Sequence, residues 1–194
     1  MKRFVFLALA FLLTACAQGG GFGDSDKLRA PDYEKYGIAR LNVNEVQIVN
    51  AYIPPYHDPN VEHTLYLPPY VALHDWAQAH FRAVGNMGVA KVQILDASIV
   101  RNSLPIKNDF GSIFTDQIST EYKMHVKVRV EIISPNFDNQ PYTEVEVSKT
   151  LQTPQSMTLA GRDTQLHEMV TSMIVDVNKL MNKSIRDKLS NVVE

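Results

Sequence analysis

Residues 122–132 constrain the fold more than any other stretch of the chain. Tyr122, Met124, Val126, Val128, Val130 and Ile132 alternate with Lys123, His125, Lys127, Arg129 and Glu131. A period of two puts the first set on one face of a β-strand and the second on the other. The chain must therefore build a sheet that is covered on one side and wet on the other. Residues 134–141 contain Pro135, Asn136, Asp138 and Asn139, a turn composition. Residues 142–151 read as the partner strand, with Val145 and Val147 on one face and Glu144 and Glu146 on the other. Antiparallel pairing sets these glutamates against the lysine–arginine row, at about 0.2–1 kcal/mol per cross-strand pair. That pairing accounts for the basic row better than a phosphate-binding face does.

A long helix supplies the cover. Leu166, Met169, Val170, Met173, Ile174, Val177, Leu180, Met181, Ile185, Leu189 and Val192 form one stripe at helical spacing. Asp163 is the expected N-cap. Lys179, Lys183, Arg186 and Lys188 fall late, at the negative end of the helix dipole. At 1.5 Å per residue the stripe is about 42 Å long. A four-stranded sheet does not easily cover that length. Ile185, Leu189 and Val192 are therefore expected to overhang and to offer a partner-binding surface.

Three further elements complete the domain. Residues 41–49 read as a strand with a bulge, because the alternation slips between Val43 and Val46. Residues 70–85 read as a helix on Leu73, Trp76, Ala77, Phe81 and Val84, opened by Pro68 and Pro69 and closed by Gly85 or Gly88. Residues 89–100 read as a strand holding Val92, Ile94, Ala97 and Ile99. The order is βαβββα. It predicts an α+β fold in two layers: a mainly antiparallel sheet of about four strands with two helices on one face.

The N-terminus reads as an address. Lys2 and Arg3 precede an apolar run from Phe4 to Leu13. That run is too short to span a bilayer, which needs about 20 residues, but suits the core of an export signal. It ends in Leu13-Thr14-Ala15-Cys16, and Cys16 is the single cysteine of the chain. This segment resembles the lipobox of bacterial lipoproteins. The resemblance implies cleavage before Cys16, a thioether-linked diacylglycerol on its sulfur, and an acyl chain such as palmitate on its amine. Each buried methylene contributes about 0.8 kcal/mol, so two or three chains anchor stably where one does not. Ala17 in place of an aspartate implies, by the same resemblance, the periplasmic face of the outer membrane.

Residues 1–15 are thus the expected signal peptide, and residues 16–37 a lipidated cysteine on a Gly-rich tether. Residues 38–194 are the expected single periplasmic domain. A lipobox followed by a tryptophan-bearing first helix and a long terminal helix resembles the auxiliary lipoproteins of envelope ABC-type transporters. It is similar, less closely, to the lipoprotein of the lipopolysaccharide export machine. The first resemblance implies an accessory role in lipid or hydrophobic-solute transport, an envelope protein partner and a lipid ligand. Neither supplies a diagnostic motif over the folded part.

The oddest stretch is residues 52–70, with Pro-Pro-Tyr at residues 54–56 and again at 68–70. Tyr52, Tyr56, Tyr66 and Tyr70 read as a stiff aromatic recognition loop, since proline limits the entropy lost on ordering and tyrosine gives broad contact. The competing reading is a packed irregular segment in which Val61, Leu65 and Leu67 form a short strand. His57, His63 and His74 with Asp58, Glu62 and Asp75 invite a metal, but no pair has the i, i+4 spacing of a zinc helix. His74 and His80 diverge around their helix.

No Gly-x-Ser-x-Gly is present, and no glycine-rich phosphate loop joins a strand to a helix. Ser103, Ser112 and Ser119 lie in ordinary contexts. The formal charge of −2 argues against a sequence-independent grip on nucleic acid. The expectation is a non-enzymatic accessory protein without cofactor or metal, anchored to the membrane through Cys16. A regulatory adaptor for cell-wall synthesis or a secretion apparatus is the alternative class, and a hydrolase without a recognisable motif the third.

Overall fold

The computed structural model describes residues 28–106 and 115–192. The expected signal peptide, Cys16, Ala17 and the start of the tether lie outside the described residues, as does Ser112. Strands β1 (Ala39–Leu41) and β2 (Glu45–Asn50) are followed by helix α1 (Pro69–His80) and strand β3 (Phe81–Ala83). Strands β4 (Val89–Ser103), β5 (Ile118–Ile133) and β6 (Tyr142–Pro154) then lead into helix α2 (Leu159–Lys188). Four strands form one sheet in the order β2-β4-β5-β6, and β1 pairs with β3 in a separate small sheet. The fold is α+β, as the sequence predicts. Its main sheet is mixed: β2 runs parallel to β4, while β4–β5 and β5–β6 are antiparallel. The parallel step follows from the helix inserted between β2 and β4, which brings the chain back to the starting end.

The slip between Val43 and Val46 is a junction between two strands, not a bulge within one. β1 pairs with β3 in parallel, Ala39 opposite Phe81 and Leu41 opposite Ala83. β2 then joins the main sheet. The same pairing ends α1 at His80, before the predicted Gly85. Val84 N–H donates to Leu41 O at 2.9 Å, Gly85 N–H to Val43 O at 3.0 Å, and the Val84 side chain is exposed. Gly85 is a close-approach glycine: a Cβ there would lie 2.2 Å from Asn42 Oδ1 and 2.6 Å from its carbonyl carbon.

The alternation of β5 survives intact. Tyr122, Met124, Val126, Val128, Val130 and Ile132 are all buried under the helices. The opposite face carries the charge ladder. Lys127 Nζ lies 3.0 Å from Glu144 Oε2, Arg129 Nε donates to Glu144 Oε1 at 2.6 Å, and Lys123 Nζ lies 2.9 Å from Glu121 Oε1. His125 sits between Asp96 and Glu146, with Nδ1 3.0 Å from Asp96 Oδ2 and Nε2 2.7 Å from Glu146 Oε1. His125, Lys127 and Arg129 are neutralised across the strands, and Lys123 by Glu121 on its own strand.

Helix α2 starts at Leu159, earlier than the sequence predicts. Its N-cap is Thr158, whose hydroxyl accepts Gly161 N–H at 3.1 Å. Asp163 pairs instead with Arg162 at 2.7 Å. The predicted overhang does not occur. Ile185, Leu189 and Val192 are 2%, 1% and 5% exposed, so they are core and not a docking surface. The reason is orientation. Lys149 meets Asp176 and Thr143 meets Ser184, so α2 runs antiparallel to β6 along its length. Strands of 15 and 16 residues reach about 50 Å, as long as a 30-residue helix at about 45 Å. A sheet too narrow to cover the helix crosswise is long enough to cover it lengthwise.

Trp76, Leu73, Ile94, Ile99, Met173 and Ile174 are completely buried at the centre. Trp76 Nε1–H donates to Asn178 Oδ1 at 3.2 Å, which settles the indole's only polar atom. Residues 29–37, expected to be tether, belong to the domain. Asn178 Nδ2 donates to Tyr36 O at 3.3 Å, and the rings of Tyr33 and Tyr36 pack on the core. His80 Nδ1 bonds Gly37 O at 2.8 Å and His167 Nε2 bonds Arg29 O at 3.0 Å.

Candidate functional site

The site grows out of a mismatch in strand length. β2 stops at Asn50 while its neighbour β4 continues to Ser103, so half of β4 loses its partner. Residues 51–68 fill the gap. Ala51 N–H and Tyr52 N–H both donate to Ile94 O at 3.0 Å. After an excursion the chain returns: Val61 N–H donates to Ile99 O at 2.9 Å and Arg101 N–H to Pro59 O at 2.8 Å. Asn60 and Val100 form an antiparallel bridge. The expected strand on Val61, Leu65 and Leu67 is instead this single bridge followed by a 3-10 turn at Glu62–Thr64. Val61 and Leu67 still anchor the segment in the core.

Glu62 holds the excursion in place. Its side chain is completely buried. It accepts Ile99 N–H at 3.1 Å, Tyr52 O–H at 2.7 Å and Asn60 Nδ2–H at 3.4 Å. A buried carboxylate needs such donors, since burying a charge without them costs several kcal/mol. Burial and the bond to Glu62 push the Tyr52 hydroxyl well above the ordinary tyrosine range.

The four tyrosines divide into two pairs. Tyr52 turns inward to Glu62, and Tyr70 opens α1 half-buried, its hydroxyl held up by burial and then by Tyr56. Tyr56 and Tyr66 project outward, 63% and 70% exposed. Ile53, 82% exposed, belongs with them. The sequence reading missed Ile53, although its place between Tyr52 and the first Pro-Pro-Tyr was visible. Tyr56 adopts φ 59°, a left-handed conformation that costs a bulky residue about 1–2 kcal/mol. Its ring lies 5.3 Å from that of His63, and the Tyr66 ring lies 6.3 Å edge-on from His167.

Beneath Tyr66 lies a small cavity of about 50 Å³ between this segment and the first turns of α2. Leu65, Tyr122, Leu166 and His167 line it, with Arg101 and Arg162 at its margin. Both arginines have carboxylate partners: Arg101 meets Asp58 at 2.9 Å and Arg162 meets Asp163 at 2.7 Å. His167 Nε2 donates to the Arg29 carbonyl, which leaves Nδ1 as the bare nitrogen of a buried ring.

The residues weighed as metal ligands are dispersed. His57 bonds the Asp58 carbonyl, His63 meets Tyr56, His74 lies 3.5 Å from Asp75, and Glu62 is consumed by its three donors. Among the described residues no three His, Cys, Asp or Glu side chains converge. No helix among the described residues is long and apolar enough to cross a membrane.

No protein-family model matches the chain, and no curated protein matches it. Solved structures that are similar in part include two lipoproteins. The rare lipoprotein B from Shewanella oneidensis is 13% identical, with a TM-score of 0.41 over 76% of this chain and 98% of that one. A minor lipoprotein from Acinetobacter baumannii is 10% identical, with a TM-score of 0.35 over 78% of this chain and 96% of that one. Both neighbours are lipoproteins by name.

Proposed function

We propose that this chain is a non-enzymatic accessory protein of a cell-envelope assembly, held at the periplasmic face of the outer membrane by lipid on Cys16. It works by docking a folded protein partner through Ile53, Tyr56 and Tyr66. The observation that carries the reading is the combination of exposure and rigidity on this loop. Three large side chains stand in solvent on a segment clamped to the sheet by Glu62. Preordered aromatic side chains lose little entropy on binding, which makes them effective interface anchors.

The assembly we favour is one for lipid or hydrophobic-solute transport. The chain would serve it as a docking subunit. The cavity beneath Tyr66 has room for a water or two, while a larger open groove of about 610 Å³ runs between β6 and α2 past Leu151 and Met169. The adaptor for cell-wall synthesis or secretion would use the same surface, and the partner's identity separates the two.

The test is site-specific photo-cross-linking in cells. A photoreactive residue replaces Tyr56, Tyr66 or, as control, Tyr142 on β6. One envelope protein should be captured from positions 56 and 66 and not from 142. Equal capture from all three, or none, overturns the reading.

A further inference from the structure

At the opposite end of the molecule from Tyr66, four chain segments enclose a cleft of about 190 Å³. It lies about 30 Å along α2 from His167, where the described chain enters the domain. The segments are the β1–β2 junction, the turn after β3, the end of β5 with its hairpin, and the last turn of the chain. Asn42, Asn86, Asn136 and Asn191 stand around it, one asparagine from each segment. Among the described residues no charged side chain lines it. Val43, Ile132 and Val192, all buried, form an apolar floor, and Phe137 makes one wall.

The cleft is built and not incidental. Asn42 N–H donates to Val192 O at 2.8 Å and Asn44 N–H to Gly88 O at 3.0 Å, which ties three of the four segments together. Gly88, at φ 82°, lets the fourth approach: a Cβ there would meet Ile133 O at 2.9 Å. Gln140 braces the hairpin from inside. Its Oε1 accepts Ser134 N–H at 2.8 Å and its Nε2 donates to Phe137 O at 3.2 Å. The asparagine amides are available. Asn136 Nδ2 donates only to the Met87 thioether, at 3.4 Å, a weak acceptor readily given up. Among the described residues no side-chain hydrogen bond engages the amide of Asn86 or Asn191.

We propose that this cleft binds an uncharged sugar residue, because four asparagine amides, an aromatic wall and an apolar floor meet there. An amide offers one acceptor and two donors, which suits hydroxyls that both give and take hydrogen bonds. The negative face of Phe137 and the aliphatic floor suit the C–H face of a sugar ring. Among the described residues no arginine or lysine lines the cleft to favour phosphate or carboxylate. A volume near 190 Å³ equals about six waters at 30 Å³ each, the scale of one ring. The neutral sugar can come from an N-acetylated glycan of the cell-wall type or from a neutral hexose glycan. The inference does not depend on the aromatic face and fails separately from it.

The test is saturation-transfer NMR on the full lipidated protein in a zwitterionic, sugar-free detergent. One arm uses chitotetraose and the other maltotetraose, each at about 10 mM, the range for a few hydrogen bonds to a single ring. Saturation of ring protons in either arm supports the cleft, and the arm that responds assigns the glycan type. Asn86→Ala and Asn191→Ala should each weaken binding about fivefold, the worth of one hydrogen bond. Both side chains are exposed, so melting temperatures should not move. No saturation in either arm overturns the proposal. So does saturation that persists unchanged in the Asn86→Ala, Asn191→Ala double variant.

Discussion

The carboxylate of Glu62 accepts the backbone N–H of Ile99 at 3.1 Å, in the interior of the domain. With the backbone bonds of Val61 to Ile99 and of Arg101 to Pro59, this bond joins the irregular aromatic segment to β4 in the sheet. It substitutes for the ladder bond that β2, ending at Asn50, does not supply. Glu62→Ala would leave Ile99 N–H and the Tyr52 hydroxyl buried without acceptors. A cost of about 2–5 kcal/mol is expected. Urea unfolding measures it, and limited proteolysis should show new cleavage within residues 53–58. A variant as stable and as protease-resistant as the wild type would mean that the clamp is dispensable.

The end of α2 should behave as core. Leu189→Ala and Ile174→Ala should each cost about 2–5 kcal/mol, because both side chains are buried. Thermal melting of the two variants compares them directly. A loss at Leu189 under a quarter of that at Ile174 would restore the overhanging helix end.

The N-terminal boundary follows from the packing of residues 29–37. A chain starting at Leu28 should melt cooperatively and above one starting at Ile38. The shorter chain strips Tyr33 and Tyr36 from the core and removes the carbonyl of Gly37 that His80 bonds. Circular dichroism melts of both chains decide the matter. Equal midpoints would return residues 29–37 to the tether.

Two histidines should give stability opposite pH slopes. Burial holds His80 below the ordinary histidine range, with its bond to Gly37 opposing. Below a pH of about 6.5 the unfolded chain takes up a proton that folded His80 refuses, so this contribution falls as pH falls. The bond to Glu146 raises His125, burial opposing, and Asp96 adds to the rise. Its contribution is complete below about pH 6.5 and is lost as pH rises through the elevated value. Between pH 5 and 8, urea midpoints should therefore lose part of their fall below about pH 6.5 in His80→Gln, and part of their fall above it in His125→Gln. The same profile in both variants would dismiss these groups.

Tyr56 sets stability against display. Tyr56→Gly should be neutral or stabilising by up to about 1 kcal/mol, because glycine accepts φ 59° without strain. The same variant should lose partner capture measured by cross-linking at Tyr66. A clear drop in melting temperature would show that the ring is a packing residue.

Lipidation is tested by following labelled palmitate into the wild type and Cys16→Ser, since serine cannot form the thioether. Label in the wild type alone is the expected result.

Much of the domain was legible in the one-dimensional pattern. The alternation in residues 122–132 determined a one-sided sheet, and the paired glutamates of residues 144–146 determined which strand lies beside it. The stripe from Leu166 to Val192 determined a long covering helix. These are local periodicities, and each buries one face whatever its neighbour is. The tertiary structure decided what depends on contacts between distant segments. A slip at residues 43–46 reads alike as a bulge or as a strand junction, and only pairing with Phe81–Ala83 selects the junction. The direction of α2 over the sheet turned Leu189 from a surface residue into core. The four tyrosines of residues 52–70 are indistinguishable in composition, yet Tyr52 turns in to Glu62 and Tyr56 turns out. Each choice rests on where a donor or an acceptor stands in space, and such partners lie from ten to several tens of residues apart along the chain.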